Sequence, residues 1–286
     1  MLAAAGLQLP GASLAVASAV PAGAGLSSSA ALTLATARAL GLLAGRKLSP
    51  NDLAEVAWRA EHDEVGVRCG RMDQTIGALA VPGTALLIET GGGQVEQVAF
   101  RETVWVLETG VFHELGTSPY HQRRRECEEA LAFCRDRAFN LGGLADLTPQ
   151  DLPEVLRVLP PPLSARVRHV VTETERTREA ARALARGDLD QLGRLMVAGH
   201  HSLRDDYQSS CGEADLLVDA AMRHGARGAR LTGAGWGGAV IALLPRGRES
   251  RIVAEVGEEF REAKGRALVA WSTRAGGGVK REAVSA

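Results

Sequence analysis

Apolar and β-branched residues alternate or run together at Ser13–Val20, Thr84–Glu89, Val95–Phe100 and Val104–Thr109, which predicts strands separated by glycine-rich turns such as Gly91-Gly92-Gly93. Between them, Ala30–Ala44 is a helix-forming run, and Ser49-Pro50-Asn51-Asp52 starts a capped helix with Leu53, Val56, Ala57 and Ala60 on its apolar face. Met1–Leu9 reads as the tail of a helix. From Tyr120 to about His224 the period lengthens to that of helices, at Arg123–Phe139, Leu163–Arg186, Leu189–Arg204 and Glu213–His224. Two further strands, Ala239–Leu244 and Ala267–Ser272, flank a helix at Arg251–Ala263. Strands that return after a run of helices predict an α+β fold rather than a doubly wound sheet. The pattern divides near Arg101, giving domains 1–100 and 101–286, with a frayed tail from Gly276.

Composition narrows the class. With 286 residues and 45% hydrophobic content the chain can bury one large core or two medium ones. Lys and Arg number 33 against 34 Asp and Glu, so no global field draws nucleic acid or an anionic membrane, and phosphate chemistry must be local. Cys69, Cys127, Cys134 and Cys211 form no CxxC pair and no metal-ligand spacing, which makes a reduced, cytoplasmic setting the default. No apolar run approaches the roughly 18 residues of a membrane span. Only Lys47, Lys264 and Lys280 are lysines, so phosphate charge would fall to arginine and backbone amides.

The sharpest local feature is Pro21-Ala22-Gly23-Ala24-Gly25-Leu26-Ser27-Ser28-Ser29-Ala30-Ala31, between an expected strand and an expected helix. Glycines let the backbone approach an anion, and the unpaired amides and dipole of the first helical turn attract it. The bland alternative is a turn with a serine cap. Three serines in register with two glycines favour the anion site. The segment is neither a dinucleotide fingerprint, since Ser28 stands at the third glycine position, nor a Walker loop, which needs Gly-Lys-Ser/Thr.

Glu61 follows Ala57 by one turn, beside the apolar stripe, where a carboxylate must be paired or bound to metal. It is either a Mg²⁺ ligand or a rim residue paired with Arg59 or Arg68. In Cys69-Gly70-Arg71-Met72-Asp73-Gln74, Asp73 either caps the next helix or accepts a proton from a substrate hydroxyl, and sequence physics does not choose. A second glycine loop, Gly228-Ala229-Arg230-Leu231-Thr232-Gly233-Ala234-Gly235-Trp236-Gly237-Gly238, either approaches a ligand or forms a tight β-turn with Trp236 in the core.

In that order, these three segments resemble motifs of the GHMP kinases, which act on galactose, homoserine, mevalonate and phosphomevalonate. Glu61-His62, Cys69-Gly70-x-Met72-Asp73-Gln74, Tyr120-x-x-Arg123-Arg124-Arg125-Glu126-Cys127-Glu128, Arg166–Thr177 and Ser202-Leu203-Arg204-Asp205-Asp206-Tyr207 resemble the galactokinase branch, over nearly the whole chain. The resemblance implies a two-domain architecture and phosphorylation of galactose at its anomeric hydroxyl, with ATP as co-substrate and Mg²⁺. It assigns Gly23, Ala24, Gly25, Leu26, Ser27, Ser28 and Ser29 to the ATP phosphates, Ser29 and Glu61 to Mg²⁺, and Asp73 to the base. Gly70, Asp73 and Tyr120 would meet the sugar, and Gly233, Gly235, Gly237 and Gly238 would close over the site. Partners would be a small sugar and ATP, with no nucleic acid or membrane, and the chain a monomer. A sugar-binding motif usual near the family's N-terminus does not occur here, so the N-terminal domain is expected to be truncated and the chain by itself slow or inactive. Phe112 stands where a basic residue is common, with His113 beside it. Rival expectations are a kinase for N-acetylgalactosamine or arabinose, and a non-catalytic regulator that responds to sugar and ATP.

Overall fold

The computed structural model describes the chain except for residues 4–5, 22–24, 68, 90–92, 112–118, 137–140 and 283–286. Two compact units emerge: Met1–Ala22, Leu26–Arg101 and Ala275–Ala286 make the first, and Gly23–Gly25 with Glu102–Arg274 make the second.

In the first unit, α1 (Ser28–Leu43), α2 (Pro50–Arg59) and α3 (Met72–Leu79) surround a small core. Ser49 starts α2, its hydroxyl accepting from the Asp52 amide at 3.2 Å with Pro50 behind it, so one unpaired amide of the first turn is satisfied. Leu34, Ala37, Leu53, Ala57 and Ala78 fill the interior. Close approach depends on Gly77, where a Cβ would stand 2.5 Å from Leu34 Cδ1. After α2 the helix widens into a π-turn, Ala60–Glu64, which buries Glu61. The hairpin of β1 (Thr84–Ile88) and β2 (Val95–Ala99) is antiparallel; Gly91 and Gly92 of its expected turn lie outside the described residues.

Three expectations for this unit are corrected. Ser13–Val20 is not a strand: no described segment pairs with it, and Leu14 and Val16 are exposed. Its alternation suits a pleated ribbon, but only a hydrogen-bonded neighbour makes one. The start of the chain forms turns, Leu7 N–H donating to Leu2 O at 3.2 Å, instead of the tail of a helix. Past Gly276 the chain is held rather than frayed as far as Val279, because Gly278 and Val279 donate to the carbonyls of Ala80 and Gly77, each at 2.8 Å; residues 283–286 lie outside the described residues. The tail therefore clusters with the first unit, outside the 101–286 division.

The second unit is built on an antiparallel sheet ordered β4-β5-β3-β6, from β3 (Val104–Glu108), β4 (Gly228–Thr232), β5 (Ala239–Leu243) and β6 (Ala270–Thr273). The first half of the expected glycine loop is thus strand β4, since Ala229 and Leu231 are buried and Gly228–Thr232 ladders onto β5. Helices α8 (Gly212–Arg223) and α9 (Glu249–Lys264) pack Leu217, Val218, Ile252, Val256 and Phe260 against Leu107, Leu231 and Val240 of the sheet. A separate apolar cluster joins α4 (Tyr120–Arg135), α5 (Leu152–Val158) and α6 (Leu163–Ala185) through Ala130, Val155, Leu163, Val167 and Val171. Helix α7 (Leu189–Asp205) crosses β4 with its backbone in contact: a Cβ on Gly193 would fall 1.9 Å from the carbonyl oxygen of Arg227.

Candidate active site

Within the first unit, three segments far apart in sequence meet at a cluster of oxygen atoms. Ser27, just before α1, has left-handed backbone angles (φ 58°), and its hydroxyl does not cap its own helix. It hydrogen-bonds the carboxylate of Asp73 instead, so the serine-cap alternative fails for this residue. Asp73 in turn sits at the second position of α3, not at its cap, which Arg71 occupies without a side-chain bond. Burial pushes the Asp73 carboxyl up from the ordinary aspartate range; the Ser27 bond partly opposes this, and the nearby charge of Glu61 adds to it.

Glu61 is 8% exposed. Its Oε1 accepts from Thr33 Oγ1 at 3.1 Å and from Gln74 Nε2 at 2.8 Å. Arg59 pairs with Asp63 at 3.0 Å, so the rim pair with Glu61 does not form; Arg68 lies outside the described residues. Gln74 is itself buried, and its Oε1 has no hydrogen-bond partner. A buried carboxylate without a paired cation among the described residues, beside an orphaned carbonyl oxygen, is a hard-donor environment that suits Mg²⁺. Among the described residues no group of three or more His, Cys, Asp or Glu could cage an ion. An ion with few protein ligands, completed by phosphate oxygens, fits this site. Ser29 lies one turn before Thr33 on α1, whose hydroxyl also reaches Ser29 O at 3.1 Å, so both are on the helix face that meets Glu61. The amides of Ser28, Ser29 and Ala30 open α1 without intrahelical acceptors.

The turn before Asp73 is braced from outside. Trp58 Nε1 donates to Cys69 O at 3.1 Å, and the Arg71 guanidinium lies 4.1 Å above the Trp58 ring while pairing with Glu55 at 2.8 Å. Gly70 is exposed, with nothing within 4 Å of the Cβ it lacks.

In the second unit the remaining glycine loop turns sharply. Gly233, Gly235, Gly237 and Gly238 all have positive φ, as does Trp236 at 54°. Trp236 is half-buried, with its indole N–H donating to Gln208 O at 3.1 Å, so it is a brace on the loop rather than core filling. Gly25 belongs to this unit and lies against the loop: a Cβ on Gly233 would fall 2.7 Å from Gly25 O. Leu26 is half-buried. Tyr120 opens α4, edge-on to His121 with ring centroids 5.9 Å apart. Gly23, Ala24, Phe112 and His113 lie outside the described residues.

The sequence alone does not mark Thr33, Gln74 or Gln208 as functional residues. Thr33 and Gln74 carry a faint signal, one turn after Ser29 and directly after Asp73.

The family model for the GHMP kinases N terminal domain matches residues 1–80, and that for the GHMP kinases C terminal matches residues 180–262. Mevalonate kinase of L. major shares the fold, with a TM-score of 0.59 at 22% identity over 88% of this chain and 66% of that one. Fold and motifs together define a GHMP kinase, a phosphotransferase that uses ATP as co-substrate. The galactokinase of Chloroflexus aurantiacus is 44% identical over 276 residues, 96% of this chain and 71% of that protein. The galactokinase of Bos taurus is 41% identical over 88% of this chain and 64% of that protein. Lactococcus lactis galactokinase complexed with galactose superimposes with a TM-score of 0.86 at 30% identity, over 91% of this chain and 68% of that one. Within the GHMP kinases, the chain belongs to the galactokinase family, and its function is that of a sugar kinase.

Proposed function

We propose that this protein transfers the γ-phosphoryl group of ATP to the anomeric hydroxyl of galactose, with Asp73 as the proton acceptor. The observation that carries the reading is the Asp73 carboxylate, half-buried and raised in proton affinity, on one cluster with the serine-rich start of α1 and the buried Glu61. A carboxylate whose proton affinity is raised is a better base. The sugar oxygen forms its bond to phosphorus, its proton passes to Asp73, and the bond to the ADP oxygen breaks. Ser27 lies beside the Asp73 carboxylate and tempers the rise in its proton affinity.

In this reading Gly23–Ser29 hold the ATP phosphates, Gly70 and Tyr120 contact the galactose ring, and Gly233–Gly238 close over the nucleotide. Ser29 and Glu61 would hold Mg²⁺, which when bound neutralises phosphate charge during transfer. By the division of the sequence, residues 1–100 serve phosphate, metal and base and residues 101–286 the remainder, except that Ala275–Ala286 clusters with the first unit and Gly23–Gly25 with the second.

Glu61→Gln tests the metal assignment without relying on turnover. It keeps the shape and the Thr33 contact but removes the charge, so the Mg²⁺ concentration that half-saturates ATP binding should rise about tenfold or more. An unchanged Mg²⁺ requirement would remove Glu61 from the ion's ligands.

A further inference from the structure

Arg166 is among the largest fully buried side chains of the protein, at 2% exposure. It lies on α6, at the start of the Arg166–Thr177 stretch, to which no binding or catalytic task was given. Its Nε donates to Glu126 Oε2 at 2.7 Å, where Arg123 also donates. The other two nitrogens reach past α7 to the segment that follows it: one donates to Asp206 O, and the other to Gln208 Oε1 at 2.8 Å. Buried ion clusters of this kind add little net stability over apolar side chains of the same volume. They do fix one geometry, because a guanidinium fork satisfies its partners in a single arrangement.

The segment so held is strained. Among the described residues three that are not glycine have positive φ: Ser27, Gln208 and Trp236. Such residues persist only where their surroundings over-determine them, and they concentrate at functional sites. Ser27 belongs to the phosphate loop. The other two hold each other: Trp236 Nε1 donates to Gln208 O at 3.1 Å, and Trp236 N–H to Ser209 O at 2.6 Å. Gly235 must be glycine here, since a Cβ would fall 2.3 Å from Ser209 O. The loop's other end is pinned by Thr109, whose amide and hydroxyl both donate to Gly238 O, at 2.9 and 2.8 Å. Between these anchors Gly233 and Gly238 present their backbone to Gly25.

We propose that Arg166 is a positioning residue for the nucleotide, acting through Gln208 and Trp236 to lock the Gly233–Gly238 loop in the shape that grips the ATP phosphates. This rests on the reading that the glycine loop closes over the nucleotide. The guanidinium fixes Asp206 and Gln208; Gln208 and Ser209 fix Trp236; and Trp236 fixes the glycines on either side of it. Along the chain Arg166 and Trp236 are separated by the rest of α6 and by α7, α8 and β4.

The test uses the 286-residue chain, titrated with Mg·ATP by calorimetry, with thermal stability measured on the same samples without ligand. Trp236→Phe keeps a ring but loses the bond to Gln208 O. Arg166→Lys keeps the charge but cannot span Glu126, Asp206 and Gln208 together. Each should weaken ATP binding about tenfold; for Arg166→Lys, which also loses stability by leaving buried partners unpaired, the weakening should persist at temperatures where the variant is fully folded. The double variant should be no weaker than the worse single one, since both cut the same line of contacts. Gly233→Ala, which would clash with Gly25 O, probes the loop directly. If Gly233→Ala weakens ATP binding but Trp236→Phe and Arg166→Lys do not, the loop reading stands and the positioning role of Arg166 is wrong. If Gly233→Ala leaves binding intact as well, or the wild-type chain does not bind ATP, the loop reading falls and takes the proposal with it. Loss of ATP affinity only in step with a falling Tm would mark Arg166 as a structural residue and overturn the proposal.

Discussion

At the scale of single residues, the proposed chemistry turns on Asp73 and its neighbours. A carboxyl whose proton affinity is raised on folding binds protons more tightly in the native than in the unfolded chain, so its ionisation opposes folding. Stability is therefore lost as pH rises above the ordinary aspartate pKa of about 3.9 and through the raised native value. Asp73→Asn abolishes that loss and can still accept from Ser27. Thermal denaturation should accordingly show the variant more stable than wild type at pH 7, with the gap closing as pH falls below about 4. A variant less stable at pH 7 would mean that the Ser27 bond outweighs burial. The two carboxylates were visible in the sequence as acids beside an apolar stripe and in a glycine turn, but their choice between roles was not. Packing adds the neighbours on which the proposed roles rest: Thr33 and Gln74 at Glu61, and Ser27 at Asp73, each from another element. No spacing rule marks a threonine or glutamine as a partner until the helices have packed.

At the scale of elements, periodicity located the helices and most strands, because each long segment buries one face and so repeats its apolar positions. It missed α5, which is 7 residues long and opens with Leu152-Pro153, and it read β4 as loop because glycine stands at its first residue. Gly228 is there for a packing reason: its Cβ would fall 2.4 Å from the Cα of Gly193 on α7. The contact between α7 and β4 thus depends on two glycines facing each other. Gly193→Ala should destabilise the second unit by about 1–3 kcal/mol, since backbone atoms cannot yield as a flexible side chain can. Urea denaturation followed by far-UV circular dichroism would measure it. The same substitution at exposed Gly187 meets open space, but its positive φ makes it a poor control; Gly212, with open space and no such angle, is the better one. Equal losses at positions 193 and 212 would contradict the close-packing argument. Ser13–Val20 carries the opposite lesson, for its pattern is that of a strand but no described segment ladders onto it.

At the scale of the whole molecule, family membership follows from similarity across both units, whereas the particular reaction is argued from one cluster of oxygens in the first. The α+β class was legible because strands bracket a helical middle. The return of Ala275–Ala286 to the first unit was not, because that tail is held by backbone bonds to Ala80 and Gly77 that leave no side-chain pattern. The central claim, transfer to the anomeric oxygen with Asp73 taking the proton, is tested most directly by the identity of the product. Protein in stoichiometric amount, incubated with Mg·ATP and galactose until ATP is consumed, makes the answer independent of a slow rate, and phosphorus NMR reads where the phosphate resides. The expected product is a phosphate coupled to the anomeric hydrogen, formed about a hundredfold or more slowly by Asp73→Asn while ATP binding stays near that of wild type. A phosphate on any other hydroxyl, or product formed by Asp73→Asn at the wild-type rate, would contradict it.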